Sequence, residues 1–129
     1  MADAARLLDT SIFIDFLRGS DTTKAWIGDF STGELAYSVI TAAELLAGCR
    51  NRREQGLVEK ELALYPMVHI SGAVSQTAFA WYRQFHLSHG IGFLDCLIGA
   101  SAHQYGLMIC TLNDKHFRPL PDLKVERPY

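Results

Sequence analysis

"RLLDTSIFIDFLRG", residues 6–19, opens with a short apolar run, stops at Asp9, and continues with helical spacing until Gly19. A short buried strand leading straight into a helix is the opening of a β-α unit, and in a parallel sheet the carboxyl ends of the strands form the edge where ligands gather. Asp9 is therefore a candidate functional group. Alone it is explained as well by capping the helix that follows, a task for which Thr10 and Ser11 compete. Whether other acids join it depends on the rest of the chain.

The alternation of short apolar runs and longer helical stretches continues, which predicts an α/β fold with a parallel sheet of four or five strands. Strands are expected at residues 6–8, 34–40, 67–71 and 107–111, with a weaker fifth at 123–127. Helices are expected at 11–18, ended by Gly19, and after Ser20 or Asp21 with Ala25, Trp26, Ile27 and Phe30 on the apolar side. Further helices are expected at 42–50 opened by Thr41, at 57–65 closed by Pro66, at 73–90 and at 91–106. Between them "NRREQG", residues 51–56, reads as a polar break. There is no internal repeat, low-complexity tract or linker, and 129 residues suit one domain, residues 1–129.

The composition, 49% hydrophobic and 20% charged, is that of a globular protein. No stretch reaches the ~18 apolar residues of a membrane span, and "MADAARLLD" has no signal-type pattern. A cytoplasmic protein without membrane association is expected. Cys49, Cys96 and Cys110 have no C-x-x-C spacing and sit in apolar surroundings, which reads as reduced thiols of the core. A formal charge of −2 does not mark a nucleic-acid binder, but Arg50, Arg52 and Arg53 form a local basic patch. Its plain reading is a solvated helix end.

Asp95 carries the sharpest signal. Phe93, Leu94, Cys96, Leu97 and Ile98 surround it, and a helix that is apolar all round is normally buried. An ionised carboxylate there costs several kcal/mol unless it is paired, hydrogen-bonded or bound to a metal. The plain alternative is a helix cap. Gly99, one turn on, leaves room beside the carboxylate, while His103 reads as a partly buried polar residue.

Glu44 has its own structural reading, because "TAAE", residues 41–44, matches the capping-box pattern. It also lies just past a predicted strand, on the same edge as Asp9. Asp15, three residues before Arg18, reads as a surface ion pair and stays outside the site. After the fourth strand, "TLNDKHF", residues 111–117, supplies Thr111, Asn113 and Asp114 at that edge, although a cap or Asx-turn also explains them.

In a parallel sheet Asp9, Glu44, Asp95 and Asn113 or Asp114 converge. Crowded carboxylates repel and do not all stay ionised without compensation. A divalent cation supplies it, and oxygen ligands favour Mg²⁺ or Mn²⁺ over zinc. Such an ion activates water and steadies a phosphate, so phosphodiester hydrolysis suits the cluster. His86 and His89 have zinc-like spacing but no further ligands nearby. Walker, dinucleotide and nucleophile-elbow motifs are missing from the sequence. The stripe Phe79, Trp81, Tyr82 and Phe85 reads as packing.

"LLDTSIFIDFLRG", "SVITAAELLAG", "FLDCLIGASAHQYGL" and "TLNDKHF", in that order and spacing, resemble the PIN-domain toxins of the VapC type over nearly the whole chain. The resemblance implies a three-layer α/β/α sandwich with a central parallel five-stranded sheet. It also implies an Mg²⁺- or Mn²⁺-dependent endoribonuclease that is the toxin of a bacterial toxin–antitoxin pair, acting on RNA. The metal ligands would be Asp9, Glu44 and Asp95. At the fourth position, where the family places an acid, this chain has Asn113 and His116, with Asp114 the one carboxylate, which argues for one well-held ion rather than two.

The resemblance further implies a homodimer and a VapB-type antitoxin whose C-terminal segment covers the acidic pocket, an arginine entering among the carboxylates. Phe13, Phe16, Leu17 and Trp26 are candidates for its groove. Arg50, Arg52 and Arg53 are candidates for holding the RNA backbone. A receiver-like signalling domain is a poor match, because "MVHIS" ends without the aspartate that fold needs. The alternative reading is a binding module that keeps the PIN scaffold with weak catalysis, motivated by the missing fourth acid.

Overall fold

The computed structural model describes residues 4–129. Five parallel strands form one sheet: β1 (Arg6–Leu8), β2 (Leu35–Ser38), β3 (Met67–Val68), β4 (Met108–Cys110) and β5 (Val125–Glu126), in the order β3-β2-β1-β4-β5. The helices are α1 (Thr10–Leu17), α2 (Asp21–Gly28), α3 (Val39–Ala47), α4 (Arg52–Leu62), α5 (Gly72–His89), α6 (Phe93–Gln104) and the single turn α7 (Asp114–Phe117). The expected α/β/α layering with a parallel five-stranded sheet is what the chain adopts.

Successive residues of a strand face opposite sides, and the core divides accordingly. Leu7, Ala36 and Ile109 face Val74, Ala78, Trp81 and the buried residues of α6. Leu8, Leu35, Tyr37 and Cys110 face Ile12 and Phe13 of α1, Leu45 of α3 and Val58 and Leu62 of α4. Burial on both faces is why these strands read as continuous apolar runs.

Several boundaries differ from expectation. The helix after β2 starts at Val39, two residues before Thr41, because the Ser38 side chain caps it by accepting from the Ile40 amide. The supposed polar break at 51–56 is instead the first turn of α4: Asn51 accepts from the Glu54 amide, and solvent covers the charged face. β1 keeps its expected bounds, whereas β2 ends at Ser38 where α3 begins, and β3, β4 and β5 keep only Met67–Val68, Met108–Cys110 and Val125–Glu126 of their expected runs. Gly19, with φ +86°, closes α1 as expected.

Three packing expectations are corrected. Phe13 is fully buried, edge-on to Tyr37 and Tyr65, and lines no groove. Asp15 accepts from the Tyr129 hydroxyl (3.1 Å) rather than pairing with Arg18. Gly99 opens space for the core: a Cβ there would lie 3.2 Å from Leu120 Cδ1 and 3.4 Å from both Phe117 Cδ1 and Leu123 Cδ2. Of the thiols, Cys96 and Cys110 are buried and Cys49 half-buried, all three free.

Because α6 approaches α7 and the β4–β5 region at Gly99, a branched side chain has to displace three apolar neighbours. Gly99→Val is expected to destabilise the protein by about 1–3 kcal/mol, read as a lower urea midpoint with an unchanged slope; an unchanged midpoint would contradict this packing.

Candidate active site at the carboxyl edge of the sheet

From β1 the chain winds outward through β2 to β3, then returns to place β4 on the other side of β1. The crevice where the winding reverses, between the carboxyl ends of β1 and β4, is the place a parallel α/β sheet offers to a ligand. Asp9 stands there, its amide donating to the Cys110 carbonyl (2.9 Å), and its residue is 3% exposed.

Asp9 occupies the cap position of α1 but makes no side-chain capping bond. Its Oδ2 accepts from the Thr111 hydroxyl (2.8 Å) and from the Ser11 hydroxyl (3.1 Å). Both donors are tied down in turn: Thr111 Oγ1 accepts from the Asn113 amide (2.9 Å) and Ser11 Oγ from the Leu112 amide (3.2 Å). With Oδ2 engaged by two hydroxyls, Oδ1 is the oxygen left for a ligand.

Glu44 is not part of a capping box, since Thr41 lies inside α3 and is fully buried. The Glu44 carboxylate accepts from the Thr10 hydroxyl (2.8 Å), which is also bonded to Thr41 Oγ1 (3.0 Å). Thr10 follows Asp9 directly, so this bond brings the acid of α3 to the end of β1. Sequence reasoning placed Thr111 at this edge without a role, and read Thr10, Ser11 and Thr41 only as caps.

Asp95 is not the cap of α6, which is Gly92; it lies in the first turn and makes no capping bond. Burial, then the nearby charges of Asp9 and Glu44, push its carboxyl up to about 6, against a smaller opposing pull from His116. Asp9 and Glu44 thus lie near enough for their charges to act on Asp95. Asn113 lies at the head of α7, beside Thr111. Asp114, by contrast, is drawn off into ion pairs with Arg118 (3.1 Å) and Arg127 (3.4 Å).

The donor set is what a hard cation takes: carboxylate and amide oxygens, with no sulfur or imidazole competing among the acids themselves. Among the described residues none of Asp9, Glu44 and Asp95 enters an ion pair. Among the described residues, no three His, Cys, Asp or Glu side chains are gathered closely enough, as they stand, to grip an ion.

Glu44 also borders a groove of about 740 Å³ between α1, α3 and α4, walled by Ile14, Leu17, Leu45, Leu57 and Val58 and rimmed by Arg18 and Arg50. Of the residues expected to line such a groove, Leu17 does so; Phe16 packs against the core and Trp26 against Phe30. Arg50 is ion-paired with Glu54 (2.9 Å), and Arg52 and Arg53 lie exposed at the start of α4. His86 stacks on Tyr82 and His89 meets Phe85 edge-on. Among the described residues no helix is long and apolar enough to cross a membrane.

Fold and site together define a three-layer α/β/α protein whose ligand edge is lined by unpaired carboxylates. Residues 6–123 match the family model of the PIN domain, and the chain belongs to that family. It is 34% identical over 122 residues to a Mycobacterium tuberculosis protein named ribonuclease VapC10, covering 92% of this chain and 90% of that one. A Rickettsia bellii protein named ribonuclease VapC is 33% identical, with 92% of each chain covered. Among solved structures, a toxin–antitoxin complex from Klebsiella pneumoniae superposes with a TM-score of 0.81 at 25% identity, over 97% of this chain and 98% of that one.

The raised carboxyl of Asp95 has a consequence for stability. Between about pH 4 and 6 the folded protein keeps a proton that the unfolded chain has released, so stability falls as pH rises through that window. In EDTA, Asp95→Asn is expected to flatten the decline, recovering about 1–2 kcal/mol above pH 7 after allowance for solvent screening. Thermal melts of both proteins from pH 4.5 to 8 check this; parallel curves would contradict it.

Proposed function

We propose that the protein is a metal-dependent endoribonuclease, the toxin of a toxin–antitoxin pair, which hydrolyses RNA phosphodiester bonds at the carboxyl edge of its sheet. The observation that carries this reading is that Thr10 draws Glu44 to the end of β1 beside buried Asp9, with Asp95 near enough to feel both charges and, among the described residues, no arginine or lysine paired to any of the three. The names of the relatives VapC10 and VapC, both ribonucleases, support it.

In this reading Asp9 and Asp95 hold one Mg²⁺ or Mn²⁺, with Glu44 completing the shell. When bound, the ion contributes positive charge at the phosphate and a more acidic water. Ser11 and Thr111 hold Asp9 through Oδ2, which leaves Oδ1 for the ion. Glu44, on the solvent side and steered by Thr10, is placed to orient the attacking water and receive its proton. The Asn113 amide takes the fourth position and Asp114 does not, since two guanidinium groups occupy it. Arg52 and Arg53 hold the RNA backbone, with Arg50 contributing less because Glu54 neutralises it.

The Klebsiella neighbour is described as a toxin–antitoxin complex, which supports a VapB-type partner here. The groove beside Glu44 suits an apolar segment of that partner, with an arginine reaching the carboxylates in the ion's place. A homodimer completes the proposed assembly.

The purified protein, free of partner, is expected to cut single-stranded RNA with Mg²⁺ or Mn²⁺ and not with EDTA. Asp95→Asn, which keeps the shape and removes the charge, is expected to lower the rate by on the order of 100-fold or more. A folded wild-type protein that cuts no RNA with either ion would point instead to a binding role for the scaffold. The Asn113 amide in place of an acid is the feature that favours that second reading.

A further inference from the structure

The loop from Thr111 to Asp114 is held from two sides. Toward the site, Thr111 and Ser11 link it to Asp9. On the far side the stretch after β5 crosses behind it: Arg127 Nη1 donates to the Leu112 carbonyl (2.6 Å) and reaches Asp114 Oδ1 (3.4 Å). Two residues on, the Tyr129 hydroxyl bonds to Thr23 of α2 and to Asp15 of α1. Residues 127–129 thereby tie the loop after β4 to the helices that follow β1.

The Arg118 side chain also pairs with Asp114, on the other carboxylate oxygen, but it donates to no backbone carbonyl of the loop. The two arginines thus differ. Exposed ion pairs hold little on their own, whereas a guanidinium donating to a loop carbonyl fixes the backbone itself, and charge-assisted bonds of this kind are the stronger sort.

We infer that Arg127 is a positioning residue of the active site: by donating to the Leu112 carbonyl and to Asp114 it fixes the loop that ties Asn113, through Thr111, to Asp9. The inference rests on the nuclease reading for its kinetic consequence. An amide in the fourth position binds more weakly than a carboxylate, so its placement depends more on the loop being held. Asp114 then has a use that its sequence position did not suggest, as the anchor of this clip.

The test uses the full chain as wild type, Arg127→Ala, Arg127→Lys and Arg118→Ala, with a single-stranded RNA of mixed sequence carrying a fluorophore and quencher, in Mn²⁺. Arg127→Ala is expected to lower kcat about tenfold or more with KM within about twofold, since misplacing a group by ~1 Å costs up to about 100-fold. Arg127→Lys, which keeps a donor for the carbonyl, restores part of the loss, and Arg118→Ala matches wild type. Equal kinetics for wild type and Arg127→Ala, or equal losses in the two alanine variants, overturn the inference.

Amide hydrogen exchange separates this from the nuclease reading. In Arg127→Ala the amides of Leu112 and Asn113 are expected to exchange about tenfold faster, while those of α5 and α6 do not change. If the wild type cuts no RNA, the nuclease reading fails and exchange alone decides: faster exchange confined to the loop supports the clip, and unchanged exchange overturns it.

Discussion

A carboxylate buried at the end of the central strand is expensive to keep, and the arrangement around Asp9 shows how the protein keeps it. Asp9 is 3% exposed, and an isolated ionised carboxylate in such a place costs several kcal/mol. Two hydroxyls meet the demand at one oxygen, and they come from opposite sides of the switch point: Ser11 from the helix after β1, Thr111 from the end of β4. The strand order is therefore part of the site. Without β4 beside β1, Thr111 would not reach Asp9, and the loop bearing Asn113 would lose its link to the acid.

The distribution of charge follows the same logic. Arginines pair with acids away from the cluster: Arg6 with Glu126, Arg50 with Glu54, Arg118 and Arg127 with Asp114. Among the described residues the three acids at the edge enter no ion pair; hydroxyls meet Asp9 and Glu44, and Asp95 feels both acids and, more weakly, His116. Burial and mutual repulsion raise the carboxyl of Asp95, which is the state of a site built for a positive charge. A cation bound there, as proposed, would relieve that repulsion in the folded state alone and so link binding to folding stability.

Much of this was legible in the sequence because the signals were periodic or chemical. Strands buried on both faces read as apolar runs, and the acid inside the apolar stretch 93–98 lies half-buried near the other two, as its surroundings suggested. The losses have physical causes too. The first turn of α4 is charged and solvent-covered, so it read as a break, although Asn51 is a good cap. The pattern 41–44 mimicked a capping box because Thr41 and Glu44 share a helix face, one turn apart, for another reason: both meet Thr10. Gly99 seemed to make room for a ligand, when the space is filled by Leu120, Leu123 and Phe117. Asp114 and Arg127 were not connectable from sequence, since their pairing depends on β5 lying beside β4.

The central claim is that Asp9 and Asp95 hold one divalent ion at the switch point. Crystals grown with Mn²⁺ and measured for anomalous scattering test it most directly. One strong peak is expected at about 2.0–2.3 Å from oxygens of both Asp9 and Asp95, with Glu44 or Asn113 near it. A map with no peak between these carboxylates, or with Mn²⁺ only elsewhere on the surface, would contradict it.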